Sequence, residues 1–221
     1  MIKVIGVQFT SSLKIYDFKP GRNKIEINDH VVVETTQGIE IGRVIYVDKE
    51  AVIKNAEEPY KEIIRLADDK DMNRWDKMRE EGYQYLSLFR ERVTELGLEM
   101  KPITVELSFD GEKAIFYFTA ENRVDFRELI KILSRHVKKQ VVMRQIGPRD
   151  EAKMLGGYGI CGQPVCCVRF LTQAESVSMD MARDQYETNV NANKVTGLCG
   201  RLMCCLAFEE SSKKRTKETK K

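Results

Sequence analysis

The 221-residue sequence predicts an α+β fold in four parts: a small N-terminal β-sheet or barrel, a long linking helix, a β-β-α-β unit, and a cysteine-rich C-terminal segment with short helices. Three observations predict it. Short alternating apolar runs separated by turn residues fill the first 50 residues, a helical period takes over from Asp68, and all six cysteines fall in two copies of one ten-residue pattern. The expected parts are residues 1–66, 67–98 and 99–210, with a disordered basic tail at 211–221. A 42% apolar content is ample for a buried core in one large domain or two small ones.

The N-terminal runs are Ile2 to Phe9, Leu13 to Phe18, His30 to Thr36 and Ile39 to Val47. Pro20-Gly21 breaks the chain after the second, and Gln37-Gly38 stands where a tight hairpin turns. Next, Met72, Trp75, Met78, Tyr85, Phe89, Val93 and Leu96 recur at helical spacing, with Asp68 and Asp69 at the start and Gly97 at the end. A helix of that extent reaches roughly 40 Å. It links two parts, offers a face to a partner, or packs its aromatic stripe on the protein's own core.

After Pro102 the expected order is strand Ile103 to Phe109, a turn at Asp110-Gly111, strand Ala114 to Thr119, a helix from Asp125 to Val137, and strand Gln140 to Ile146. Asp125 is the expected cap, and Phe126, Leu129, Ile130, Leu133 and Val137 form one apolar stripe. Between the cysteine copies, Ser178 to Tyr186 reads as a short helix and Thr188 to Gly197 as a polar loop.

Charge and hydropathy exclude several classes. No apolar run approaches the roughly 18 residues that span a bilayer, and Met1 to Thr10 reads as a strand rather than a secretory leader, so a cytoplasmic protein without membrane insertion is expected. The net charge of +3 is carried by Ser211 to Lys221, which alone holds +5 and leaves −2 on residues 1–210. A body with that balance lacks the basic footprint of a dedicated nucleic-acid binder. The tail reads as a solubilising end or as a contact for RNA or an acidic partner.

The copies are Cys161 to Phe170 (CGQPVCCVRF) and Cys199 to Phe208 (CGRLMCCLAF), identical at five positions in ten. Scattered core cysteines would not repeat in register. In a reducing compartment thiols in this pattern point to metal, cluster or redox chemistry rather than disulfides. Two thiolates from each copy suit tetrahedral zinc or an iron-sulfur cluster; Cys-x-x-Cys knuckles are missing and neither histidine is near, which favours iron-sulfur and also weakens a thioredoxin-type dithiol. On a helix successive residues point about 100° apart. Cys166 and Cys167, like Cys204 and Cys205, therefore cannot both aim squarely at one small ion, and one of each pair is expected to pack or to serve a partner.

Other motifs read as structural. His30 heads a strand and His136 lies near a helix end, where a cation suits the dipole. No catalytic acid-base pair emerges. Gly157, Gly159 and Gly162 spell G-x-G-x-x-G, but the preceding strand ends near Ile146, so Gly156, Gly157 and Gly159 are expected to let the backbone pass beside a bulky site, while Gly162 and Gly200 are expected at turns that begin each cysteine copy and lead into a helical turn carrying the doublet.

Ile115 to Leu133 (IFYFTAENRVDFRELIKIL), Arg144 to Cys167 (RQIGPRDEAKMLGGYGICGQPVCC) and Gly197 to Cys205 (GLCGRLMCC) strongly resemble the bacterial YaaT family, also called RicT, of the polymerase-suppressor C-terminal-domain superfamily. The likeness runs over nearly the whole chain, and the doubled cysteine motif joined to RQIG-RDEAK is its most specific part. It implies a non-enzymatic regulatory subunit acting with two small helical partners, RicA and RicF, in a complex that carries 4Fe-4S clusters. It further implies a link to the endoribonuclease RNase Y in mRNA maturation, with indirect rather than direct RNA contact, and to sporulation, competence and biofilm development. By position, Cys161, Cys166, Cys167, Cys199, Cys204 and Cys205 are the implied cluster ligands. The alternative from the residues alone is a zinc-stabilised RNA-binding module using the basic tail.

Overall fold

Alternation along the strands builds the first sheet, because successive side chains on a strand leave opposite faces. In β3 (His30–Thr35), Val31 and Val33 enter one apolar cluster while Val32 enters another on the reverse side. The computed structural model describes residues 2–9, 15–21, 24–35, 38–51, 60–171, 176–186 and 192–210, in two units, 1–146 and 147–221. The expected Gln37 turn position, Leu13 and Thr36 at strand ends, and the tail Ser211 to Lys221 lie outside the described residues.

In the first unit β1 (Ile2–Gln8), β2 (Ile15–Phe18), β3, β4 (Gly38–Ala51) and β5 (Ile63–Leu66) form an antiparallel sheet in the order β2-β1-β4-β3-β5. Its outer edges meet. The Lys19 amide donates to the Lys61 carbonyl at 2.9 Å, and the Lys19 carbonyl accepts from the Ile63 amide at 3.2 Å, so the sheet curls into a partly closed barrel. Inside lie Ile5, Val7, Phe9, Phe18, Ile25, Val31, Val33, Val44 and Ile63. Burial of each such side chain is worth about 1.5–3 kcal/mol.

Two strands depart from expectation. β4 runs to Ala51 rather than Val47, because its first half pairs with β3 and its second half continues along β1 as far as Ile2. β5 was not expected from the sequence; Ile63 to Leu66 is a four-residue edge strand, too short to give a clear alternation.

Helix α1 (Asp69–Glu95) follows β5 directly. Asp68 caps it: its carboxylate accepts from the Asp71 amide at 2.8 Å while Asp71 returns a bond to the Asp68 amide at 3.0 Å. Arg65 of β5 grips the Asp71 carboxylate, which ties the helix start to the barrel and holds that carboxyl down at about 2. The helix then spans both halves of the unit. Trp75 and Met78 cover Val32, Ile41 and Phe109, and about two to four turns later Leu86, Phe89 and Val93 enter the largest core.

That core is completed by β6 (Lys101–Leu107), β7 (Lys113–Thr119), α2 (Arg127–Val137) and β8 (Gln140–Gln145), with β7 central, antiparallel to β6 and parallel to β8. Phe89 meets Phe116 edge to face at 5.2 Å, and Leu129 and Leu133 are fully buried. The Asp110-Gly111 turn is as expected, with Gly111 at φ +82° donating to the Ser108 carbonyl at 2.7 Å. Asp125 is one residue too early to be the formal cap. Phe126 holds that place, while the Asp125 carboxylate still accepts from the Arg127 amide at 3.1 Å. Among the described residues no helix is long and apolar enough to cross a membrane.

Gly82 shows how closely α1 lies on β6. A methyl group there would stand 2.6 Å from the Val105 carbonyl oxygen, a backbone atom that cannot step aside alone. Helix propensity favours alanine over glycine by about 1 kcal/mol. Overpacking outweighs this, so Gly82→Ala is expected to destabilise by about 1–3 kcal/mol in urea unfolding, and a gain would refute the close contact. Asp71 gives a pH test. Its folded value near 2 lies below the ordinary 3.8, so its contribution is fully present above about pH 4 and is lost as pH falls through about 2; Asp71→Asn is expected to flatten that part of the acid-unfolding curve.

Candidate functional site

All six cysteines belong to the second unit, and its local structure repeats as its sequence does. Helix α3 (Pro148–Leu155) opens the unit with Pro148 in its first turn, Asp150 and Glu151 at its positive end, and Gly156 at φ +70° just past its last residue. It was not expected, although proline, acidic residues and a closing glycine are ordinary start and stop signals. Gly156 serves this cap rather than a close approach, since nothing lies within 4 Å of where its side chain would be. Gly157 does make one: a methyl group there would stand 2.7 Å from Leu198 of the other copy.

Each cysteine copy is a short hairpin followed by a helical turn. In the first, Tyr158 bridges Pro164, the Gly159 amide donates to Gln163 O at 2.8 Å, and the Gly162 amide donates to Gly159 O at 3.0 Å. In the second, Thr196 bridges Leu202, Gly197 donates to Arg201 O at 2.8 Å, and Gly200 donates to Gly197 O at 2.9 Å. Every one of these partners stands 38 residues after its counterpart. Gly162 and Gly200 turn at φ +74° and +71°, a conformation open to glycine and costly for other residues, which accounts for glycine after the first cysteine in both copies. Gly159 and Gly197 extend the identity two residues ahead of that cysteine.

The doublet follows the hairpin. Cys166 and Cys167 open α4 (Cys166–Arg169), while Cys205 begins a helical stretch at 205–210, here α7, with Cys204 just before it. The two copies then touch through their last conserved residue, Phe170 against Phe208 at 5.1 Å and 70°. The connector supplies α5 (Met179–Tyr186), as expected, and α6 (Ala192–Val195), which replaces part of the expected polar loop; residues 188–191 of that loop lie outside the described residues. Ala182 of α5 and Val195 of α6 close on Leu206, fixing the second copy from behind. That apolar contact is why a segment of polar appearance contains a helical turn.

The thiols are free and unequally placed: Cys161 is exposed, Cys167 is buried, and Cys166, Cys199, Cys204 and Cys205 are half-buried. They also act on one another. Burial pushes the Cys204 thiol up to about 11, with Cys166, Cys167 and Cys205 adding to it. Burial raises Cys205 too, helped by Glu209, Cys166 and Cys161. For Cys167 burial again leads, Cys199 adds, and the cations Lys153 and Arg149 oppose it. These neighbours obey the symmetry of the fold. Exchanging the copies converts the pair Cys205 and Cys166 into Cys167 and Cys204, and the pair Cys205 and Cys161 into Cys167 and Cys199. The second cysteine of each doublet thus reaches across to the first two cysteines of the other copy.

No group of three or more His, Cys, Asp or Glu among the described residues is gathered closely enough to hold a single metal ion. The histidines have structural surroundings, His30 beside the Trp75 ring at 6.0 Å and His136 with Nδ1 2.9 Å from the Ile132 carbonyl. Lys153 and Arg149, beside the site, were present in the RDEAK stretch but were not singled out by their chemistry; a lysine next to alanine on a short helix ahead of the cysteines gives no signal of burial.

The fold and site together define a mixed α+β protein that ends in a duplicated cysteine module. Residues 61–146 match the family described as PSP1 C-terminal conserved region, and residues 176–219 match the PSP1-like protein third domain. The chain is 45% identical over 218 residues to Stage 0 sporulation protein YaaT of Bacillus subtilis (strain 168), covering 99% of this chain and 79% of that one. It is 24% identical over 170 residues, 60% of this chain, to an uncharacterized protein of Schizosaccharomyces pombe, of which it covers 23%. No solved structure matches it. The chain belongs to the YaaT family.

Raised thiol values carry a sign. A group whose folded value lies above its ordinary one stabilises below that ordinary value and ceases to as pH rises through the folded value. The metal-free protein is therefore expected to lose stability between pH 9.0 and about 11, and thermal melts of Cys204→Ser across that interval should show a shallower loss. An unchanged slope would refute the burial that holds the Cys204 thiol up.

Proposed function

We propose that this protein is a non-catalytic regulatory subunit whose cysteine module holds an iron-sulfur cluster, and that it acts through partner proteins on RNA processing. The observation that carries the reading is the repetition of Cys161, Cys166 and Cys167 as Cys199, Cys204 and Cys205 in and after hairpins with the same hydrogen bonds. Crowded, half-buried thiols resist ionisation, as the raised values of Cys167, Cys204 and Cys205 express, so a compensating cationic centre is the state this donor set favours. Its softness and sulfur-only character suit iron-sulfur or zinc.

The sequence pattern favours the cluster: Cys-x-x-Cys knuckles are missing and neither histidine is near the motif. Zinc–sulfur bonds of about 2.3 Å draw the sulfurs tightly around one ion, whereas a four-iron cluster distributes its thiolates over several irons. When bound, the cluster supplies a redox-active and oxidation-sensitive tie between the two copies. The chain's own part is to present the thiols: the Gly162 and Gly200 turns set the first cysteine of each copy, α4 carries one doublet while Cys204 and Cys205 lead into α7, and the Phe170–Phe208 contact holds the copies in register. A cysteine that faces away from the centre is free to pack or to meet a partner.

Loading would tie the two cysteine copies together, and a partner that binds the loaded form gains affinity by linkage. The family likeness supports RicA- and RicF-like helical proteins as those partners and RNase Y as the enzyme they influence. The relative's name supports a role in sporulation where the organism sporulates, and the family likeness extends the proposal to competence and biofilm formation. A cytoplasmic location fits reduced thiols.

Anaerobic co-purification of the full chain with its partners, followed by iron and sulfide analysis, tests this. Iron and sulfide in equal amounts are expected, and Cys166→Ser and Cys204→Ser, which remove the thiols between the copies, should lower loading about tenfold or more. Zinc without sulfide would move the reading to a zinc-stabilised module. Metal-free protein with intact reduced thiols would overturn both.

A further inference from the structure

Along α1 the charges of opposite sign stand together: Arg79 pairs with Asp76 at 3.7 Å, and Glu81 is reached by Lys139 at 3.7 Å. Helix α2 is different. From Arg127 to Lys139 the chain holds five Lys and Arg against one acid, Glu128. Asp125 holds Arg127 at 2.6 Å and Glu81 holds Lys139, which leaves Lys131, Arg135 and Lys138 exposed and without an ion pair among the described residues. Lys131 and Arg135 stand one turn apart on the face opposite the buried Leu129 and Leu133, and Lys138 follows about one turn further, just past the helix end.

This arrangement works against the helix's own stability. Like charges four residues apart, Arg127 with Lys131 and Lys131 with Arg135, repel along one face. The helix dipole favours a cation in the last turn, which accounts for Arg135 but gives nothing to Lys131 in the middle. Lys138 is the clearest sign. It closes the helix at φ +53° and ψ +28°, a left-handed conformation that glycine adopts freely and that strains any residue with a side chain. Strain of this kind collects where a surface has a task beyond folding.

We propose that Lys131, Arg135 and Lys138 form a docking stripe for an acidic helix of a protein partner, one that carries carboxylates a turn apart. Charge complementarity sets the class of occupant. Residues 1–210 carry a net −2, so a long polyanion meets no supporting basic field, and α2 has no Phe, Tyr or Trp to stack on a base. Three cations spaced by a turn match a helix laid alongside with acids at i, i+4 and i+7. No residue of the cysteine module enters the stripe, so it stands whatever that module holds.

The full chain is titrated into a fluorescein-labelled, alanine-rich peptide of about 20 residues with glutamates at i, i+4 and i+7, and binding is read by fluorescence anisotropy. The same peptide with glutamines and a single-stranded RNA of about 20 nucleotides are run beside it. Saturable binding of the glutamate peptide alone is expected. It should fall about tenfold in Lys131→Gln/Arg135→Gln and no more than about twofold in Lys70→Gln/Lys77→Gln, which removes two exposed cations of α1. Lys138→Gly is expected to weaken binding severalfold while melting at or above the wild-type temperature, because the left-handed strain has gone. No binding of the glutamate peptide by wild type, or equal losses in the two double variants, would overturn the stripe. A lower melting temperature of Lys138→Gly with unchanged binding would remove Lys138 from it and overturn the strain argument. RNA binding tighter than peptide binding at about 150 mM salt, lost in Lys131→Gln/Arg135→Gln, would overturn the acidic helix in favour of a phosphate backbone.

Discussion

Burial holds a thiol in the protonated form and neighbouring thiols add to it, a constraint that acts on Cys167, Cys204 and Cys205 of the second unit. Cys204 is held near 11 by burial and by Cys166, Cys167 and Cys205, so the cost of ionising it depends on the positions of the others. Bare thiolates at Cys167, Cys204 and Cys205 are disfavoured. The hairpins, the left-handed glycines and the Phe170–Phe208 contact keep the sulfurs near one another without a disulfide, and they do so twice with the same hydrogen bonds. Shifting by the 38-residue offset between the copies also exchanges their thiol neighbours, so the second cysteine of each doublet has thiol neighbours in the other copy.

The first unit solves a different problem. Two sheets, one curled into a partial barrel and one with three strands, share a single helix. α1 covers Val32 and Ile41 with its first turns and the Phe116 core with its last, and it needs glycine at position 82 to lie against the β6 backbone. The reciprocal bonds of Asp68 and Asp71, with Arg65 of β5, pin its start to the barrel. The helix is accordingly internal architecture along much of its length, and its aromatic stripe is core before it is anything else.

Much of this was legible in the sequence because it rests on local periodicity or local chemistry. The 3.6-residue period of α1 and its Asp68 start, the Asp110-Gly111 hairpin and the two cysteine turns at Gly162 and Gly200 are all determined by residues a few positions apart. What escaped depends on distant partners. β5 is four residues long and exists because β3 offers it an edge; the turn at Ala192–Val195 exists because Ala182 and Leu206 bury Val195. The length of β4 depends on its second partner, β1, and not on its own composition. For the site, the residue types and their duplication were readable, but the crossing of neighbours between copies was not, since it follows from how the hairpins pack. Lys153 was hidden for the same reason: its burial is a property of the fold, and nothing in RDEAK separates it from a solvated helical lysine.

The most direct test of a sulfur-held cluster on this module is X-ray absorption at the iron edge on the anaerobically loaded protein with its partners. Sulfur-only scattering in the nearest shell together with a neighbouring iron shell is the expected result. Nitrogen or oxygen ligands around isolated ions, with no iron neighbour, would contradict it.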